Sequence, residues 1–412
     1  MKISRIAGIA ALLAAGALQA QSFKFDGALV ELWYTQMMDK NLRNNTDSTY
    51  SYGYLASQFK ENSFNVKRAE LYFSGNISDT LSWNIMFNPD NPSTATAPNN
   101  VLHDVIATWN PGNGFVLKAG QFKMPTTYEA TIVAAKDILF YDRNQLNRVI
   151  GDKRDRGIWA SYQYGDAKGF TGKVNVAISN GSTDDGSGGK TAVDANAQKD
   201  WTFRFDGTYS KEHKFGFYYR EGVDAVKDAG SKAWDFGGAV STTAVIDNKD
   251  KTTLQGVYYA FSNASWYADF EYGTGLLGRR FPTIFDSAAT PSAKRQHLDQ
   301  KFTGMAATGV YKMGQHWFLA RYDVMNYNSG DDWYTTYNPY TDSATGSLNA
   351  DYSPKFTEVI LGYNYVFNPS KTSFGKLKFD YIMRSKNFKQ PLAPQTGEQG
   401  GDSLLVSLQL GF

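Results

Sequence analysis

Gly401-Asp402-Ser403-Leu404-Leu405-Val406-Ser407-Leu408-Gln409-Leu410-Gly411-Phe412 is the stretch whose reading decides the fold. Successive side chains of a strand point to opposite faces, so Leu404, Val406, Leu408, Leu410 and Phe412 share one side. Leu405, Ser407, Gln409 and Gly411 share the other, which is mostly small or polar. A last strand that is apolar on one face and ends in an aromatic suits a barrel wall in lipid, closing against the first strand. The same alternation in isolation would also serve a soluble β-sandwich, so the rest of the chain must decide.

The opposite end points the same way. Lys2 and Arg5 precede an apolar run from Ile6 to Leu18, the pattern of a secretory signal peptide, with cleavage expected after Ala20 or, alternatively, after Ala17. The expected division is therefore 1–20 signal peptide and 21–412 barrel domain. An exported chain with no cysteine carries no disulfide framework.

Mean hydropathy is -0.44, and no run of helical spanning length follows the signal. Yet aromatics make up 15% of the chain, with 26 Tyr, 27 Phe and 9 Trp. Aromatic girdles outside and a polar interior give a barrel this soluble-looking average. Removing Lys2 and Arg5 takes the 42 basic residues to 40, equal to the acidic ones, which argues against nucleic acid as a partner.

Alternating segments recur at 23–38, 64–76, 81–87, 101–109, 115–122, 157–164, 170–179 and 201–209. They continue at 215–221, 253–261, 265–272, 303–312, 317–327, 356–367, 376–384 and 403–412. Short turns alternate with long polar connections at 41–62, 88–100, 124–156, 180–200, 222–252, 273–301, 328–355 and 385–402. Short turns at one rim and long loops at the other define an outer-membrane barrel. The expected fold is all-β: a transmembrane antiparallel β-barrel of sixteen strands, wide enough to hold a water-filled lumen. Residues 234–246 also alternate, but would make the count odd, and are read as a hairpin within the fifth long connection.

Alternation turns charge inward. Arg68, Lys118, Lys173, Arg204, Arg220, Arg321, Lys376, Lys378 and Arg384 face Glu70, Asp206, Asp269, Glu271, Asp323 and Asp380 across the lumen. Nine bases against six acids predicts a modest preference for anions. The alternative is that these charges pair across strands and simply hydrate the wall. The connection 124–156 is too apolar to lie in water, with Ala130-Thr131-Ile132-Val133-Ala134-Ala135 and Ile138-Leu139-Phe140-Tyr141. Folded into the barrel, it would bring Lys123, Glu129, Lys136, Arg143, Arg148, Lys153, Arg154 and Arg156 to a constriction where charge sets selectivity. The acids that would accompany them are Asp137, Asp142, Asp152 and Asp155; a surface plug or subunit-contact loop is the other reading.

Lys118-Ala119-Gly120-Gln121-Phe122-Lys123-Met124-Pro125, then Glu129, then Arg154-Asp155-Arg156-Gly157, resembles the phosphate-selective porin O and P family. The resemblance extends over most of the mature chain. It implies a sixteen-stranded homotrimer with a constricting third loop, and lysines and arginines that select anions, phosphate above others. By motif, Lys123 is the loop-entry lysine, Glu129 the loop carboxylate and Arg154 the arginine leading the next strand. The departures are a neutral mature charge and no dense arginine ladder beyond Arg204 and Arg220, so the porin is implied more strongly than phosphate specificity.

The function expected is passive diffusion of small ions and solutes across the bacterial outer membrane, with phosphate or polyphosphate as candidates. No cofactor or metal is expected. The partners expected are outer-membrane lipids and lipopolysaccharide, the barrel-assembly machinery for which Phe412 is the signal, two further copies of the chain, and small anions. A lipase- or protease-type barrel is the rival class; His103, His213, His297 and His316 lack any nucleophile signature around them. A structural or adhesive barrel would need no constricting loop. Asp184-Asp185-Gly186 and Asp331-Asp332 read as solvated loop tips rather than Ca²⁺ ligands, and Gly186-Ser187-Gly188-Gly189-Lys190 falls short of a P-loop.

Overall fold

The computed structural model describes residues 22–38, 63–89, 101–166, 168–181, 198–224, 250–282, 297–326, 329, 355–385 and 402–412. The expected signal peptide and the 234–246 hairpin lie outside these residues. Sixteen strands close into one antiparallel barrel in which every strand pairs with its chain neighbours and β1 pairs with β16. They are β1 Lys24–Met37, β2 Ser63–Asn76, β3 Leu81–Phe87, β4 Leu102–Gly112, β5 Phe115–Lys123, β6 Arg154–Gly165, β7 Phe170–Ser179 and β8 Asp200–Tyr209. The second half comprises β9 His213–Asp224, β10 Asp250–Ser262, β11 Trp266–Pro282, β12 His297–Met313, β13 His316–Asn326, β14 Lys355–Val366, β15 Gly375–Arg384 and β16 Ser403–Gly411. Among the described residues no helix is long and apolar enough to cross a membrane.

The outer face is a coat of exposed apolar side chains, among them Ile158, Trp201, Phe217, Val257, Leu361 and Leu410. Their alternates Ser161, Arg204, Asp323, Lys378, Ser407 and Gln409 are buried on the inner face. Hydrocarbon outside and polar groups inside are the arrangement that lipid on one side and a lumen on the other require.

Two expectations need correction. The sixth long connection is shorter than 273–301, because β11 continues to Pro282 and β12 begins at His297. Backbone pairing, including Phe281 with Leu298, carries the hairpin through a stretch whose Gly, Arg and Gln hide the alternation. His297, which falls within that connection as read, is consequently the first residue of a strand.

β2 contains a register shift that its sequence conceals. Glu31 pairs with Arg68 while Leu32 pairs with Val66, leaving Lys67 as the extra residue. A bulge re-aims the side chains around it. Phe64 and Val66 face out before it, whereas Glu70 and Arg68 are buried after it.

The last residue closes the barrel. Phe412 N donates to Ala28 O at 3.1 Å and Phe412 O accepts from Ala28 N at 2.7 Å, with the side chain exposed on the outer face. Deleting Phe412 removes both bonds at the seam. We expect surface expression to fall severalfold, with normal single-channel conductance in whatever assembles. Unchanged surface expression of the truncated chain would refute this.

Candidate functional site

The segment 124–153 between β5 and β6 is fixed at its root by two facing glycines. Gly120 and Gly157 pair across β5 and β6. Gly120 has φ +131°, and a Cβ there would collide with Val105 O, as one on Gly157 would with Ile178 O. Both glycines of the recognised motif therefore allow backbones to approach more closely than a side chain permits. Asp155, between Arg154 and Arg156, accepts from Gly181 N at 2.7 Å and ties the start of β6 to the end of β7.

Beyond the root the chain forms a short helix, α1 Tyr128–Ile132, then a 3₁₀ turn at Ala135–Asp137 and a π-type turn at Asn147–Gly151. So irregular a segment leaves many backbone groups without a ladder partner, and buried ones must find partners elsewhere. Inner-wall side chains supply them. Arg204 on β8 donates to Thr127 O at 3.1 Å and also to Thr126 O. Lys376 donates to Ile138 O at 3.0 Å, Asn364 to Leu139 O at 2.7 Å, and Lys378 to Phe140 O at 3.0 Å. Arg321 reaches Asp142 O at 3.0 Å and Gln409 reaches Lys136 O at 2.6 Å.

Wall carboxylates serve the donors. Tyr128 N gives to Glu271 at 2.5 Å, and Gln145 N gives to Asp323 at 2.7 Å. Glu358 accepts from Tyr141 Oη at 2.9 Å and from Arg148. Within the segment, Glu129 accepts from Asn144 N at 2.5 Å and, across to the wall, from Arg321. Phe140, Tyr141 and Leu146 are buried with Trp33, Phe302, Leu319, Ile360 and Leu405. That contact is the physical reason for the segment's apolar composition.

On the β2 to β6 side stands a second group of charges, of which Lys67, Lys123, Asp152, Arg154 and Asp104 keep some exposure. Lys67 and Arg68 both meet Asp142, at 2.9 and 3.2 Å. Lys123 lies 2.6 Å from Asp152, whose other oxygen is 3.5 Å from Arg143. Arg154 is 2.7 Å from Asp104. Lys123 and Asp152 retain 21% and 27% of their side-chain exposure, so solvent reaches this group.

Burial pushes the Asp152 carboxyl up, but Lys123, Arg143 and Arg154 outweigh it and hold the group well below the usual carboxylate range. Asp142 is depressed in the same way, with Lys67, Arg68 and Arg148 opposing its burial. A depressed folded-state value adds stability that is present above the unfolded value and is lost as pH falls through the folded one. The part of the hold due to Asp142 and Asp152 is therefore expected to persist from neutral pH down to about 4 and to be lost only below it. A titration of single-channel conductance in wild type and in Asp142→Asn with Asp152→Asn checks this; a change below pH 4 that survives in the variant would refute it.

Lys123, Arg143 and Arg154 are thus brought together by the fold. Arg148 lies apart from them, against Tyr141 and Glu358. Arg156 pairs with Gln121 across β5 and β6 and donates to its side chain at 3.1 Å. Arg220 pairs with Asp200 at 2.5 Å. Lys118 lies 4.4 Å from the Trp159 ring centroid.

Glu31, Asp104, Asp200 and Glu358 also lie on the inner face, as does Lys67 among the bases. These acids sit in short or weakly alternating runs that gave no facing signal, and Lys67 was hidden by the bulge. Among the described residues Lys118 and Lys173 make no ion pair within 4.0 Å.

The signature of phosphate-selective porin O and P proteins matches residues 40–318. No curated protein matches the sequence significantly. Similar solved structures include OmpF of Salmonella typhi in complex with daunomycin, at TM-score 0.55 and 10% identity, covering 96% of this chain and 99% of that one. OmpT of Vibrio cholerae, an outer membrane protein in a trimer form, gives TM-score 0.53 at 13% identity, covering 95% and 100%. An anion-selective porin from Comamonas acidovorans gives 0.50 at 9% identity, covering 95% and 99%. These likenesses establish the barrel fold. With the closed sixteen-strand wall and the matched signature together, the chain belongs to the phosphate-selective porin O and P family and is an outer-membrane porin.

Proposed function

We propose that the segment 124–153 is the constriction of this channel and that small anions, phosphate among them, pass between it and the β2 to β7 wall. The carrying observation is the division of the inner charges. Arg204, Arg321, Lys376 and Lys378 bond the backbone of the segment, whereas Lys118 and Lys173 face inward, partly exposed and without an ion pair among the described residues. Cations of that kind raise the local anion concentration. Lys123, Arg143 and Arg154 stand where the route is narrowest. A homotrimer fits the trimer form of the similar Vibrio protein, and residues 1–20 are read as the export signal removed from the mature chain.

Folded protein is expected to resist SDS unless heated and to open discrete conductance steps in planar bilayers. Reversal potentials in KCl and potassium phosphate gradients measure its preference. Lys118→Ala with Lys173→Ala is expected to lower the anion-to-cation permeability ratio roughly threefold per charge, from Coulomb energies across a few ångströms of water. The absence of any conductance step from folded protein would overturn the constriction and the route together.

A further inference from the structure

Two hairpins at the rim of short connections repeat one arrangement on the outer face. His213 opens β9 and His316 opens β13, each directly after a short turn. Nδ1 of His213 lies 2.7 Å from Tyr259 Oη on β10, and Nδ1 of His316 lies 2.7 Å from Tyr363 Oη on β14. Aromatic rings flank both imidazoles. Phe261 is 5.2 Å from the His213 ring, and Tyr365 is 5.5 Å from that of His316. Both histidines share the register of outward residues, Phe215 and Phe217 for one and Phe318 and Tyr322 for the other.

Nδ1 of each imidazole is taken by a phenol, and the direction of that bond follows the tautomer. When the Tyr O–H donates to Nδ1, the ring proton of the neutral imidazole is on Nε2. When it is cationic, Nδ1–H donates to the phenol oxygen and Nε2–H is still a donor. Nε2 makes no hydrogen bond among the described residues in either hairpin. An N–H donor on the outer face, within an aromatic belt, lies at the level of lipid headgroups.

We propose that His213 and His316 bind the phosphates of phospholipid headgroups in the periplasmic leaflet, each through Nε2 with its ring held by Tyr259 or Tyr363. Short connections mark the periplasmic rim, and that leaflet presents phosphodiesters at this level. The two sites lie outside the lumen, so they stand or fall independently of the conduction route.

The test uses the full-length folded porin in detergent, with phosphatidylglycerol as the probe and diacylglycerol, which lacks the phosphate, as control. Native mass spectrometry counts bound lipids. His213→Phe with His316→Phe keeps the aromatic bulk and is expected to raise the half-saturating phosphatidylglycerol concentration about tenfold for each charged hydrogen bond lost. Diacylglycerol binding should not change. Tyr259→Phe with Tyr363→Phe keeps both imidazoles and is expected to weaken binding less, and it carries the test if the histidine variant loses its heat-modifiable mobility. ¹⁵N shifts of the two Nε2 atoms should respond to phosphatidylglycerol but not to millimolar inorganic phosphate. Equal lipid binding by wild type and variants overturns the proposal, as does an equal response to inorganic phosphate, which would make these free-anion sites.

Discussion

Exchanging Lys123, Arg143 and Arg154 for Glu is expected to move the reversal potential in a KCl gradient from the anion to the cation side. The change reverses three charges around one carboxylate, because Asp152 contacts both Lys123 and Arg143 and its charge is also felt by Arg154. Lys123 and Arg154 keep some side-chain exposure, whereas Arg143 is buried beside Asp152 and acts through it. At a few ångströms in a medium between water and protein each reversal is worth about 1–2 kcal/mol, so the permeability ratio should change by at least about tenfold. The same reversals at Lys190, Lys199 and Lys227, in the connections 180–200 and 222–252, should leave it unchanged. Phosphate block of chloride current should weaken in parallel. A neutral variant, with Gln at the three positions, should lie between and avoids crowding acids around Asp152. An ion preference unchanged in both variants would place the segment outside the conduction path.

The second large effect concerns what holds the segment in place. Arg321→Met removes the cation beside Glu129, the donor to Asp142 O and the guanidinium 4.2 Å from the Phe140 ring centroid. Arg321 and Glu129 are both buried, so the variant strands a carboxylate rather than losing a surface pair. Breaking a buried pair from one side costs about 3–5 kcal/mol. The expected result is a larger and noisier single-channel conductance, with a lower temperature for loss of heat-modifiable mobility. Glu129→Gln with Arg321→Met removes the stranded charge as well and should recover part of that loss. A wild-type conductance trace from Arg321→Met would mean that the remaining wall contacts suffice to hold the segment.

How much of this was legible in the chain depends on the range of the interaction involved. Strand positions follow from period-two alternation, a local property, and all sixteen observed strands overlap the segments read from it. The alternation of short and long connections orients the rims, and the polar inward series appears as soon as the faces are assigned. The apolar run from Ile138 to Tyr141 marked 124–156 as a segment that must pack on something, and it is buried. The motif singled out Lys123, Glu129 and Arg154, while Arg143 entered only as one of the charges of the connection.

What an inner charge touches is a different kind of question. Lys378 reads identically whether it faces open water or a carbonyl from another segment, yet it lies against Glu31 and Phe140 O, partners 347 and 238 residues away in sequence. Lys67 belonged to the outer series until a single bulged residue turned it toward Asp142. The chain by itself determined the barrel, because lipid outside and water inside impose a repeating pattern on every strand. Only the tertiary structure decided which inner charges bond the segment and which do not, because one bulge shifts the facing of a strand end and ion pairs join residues with no shared local pattern.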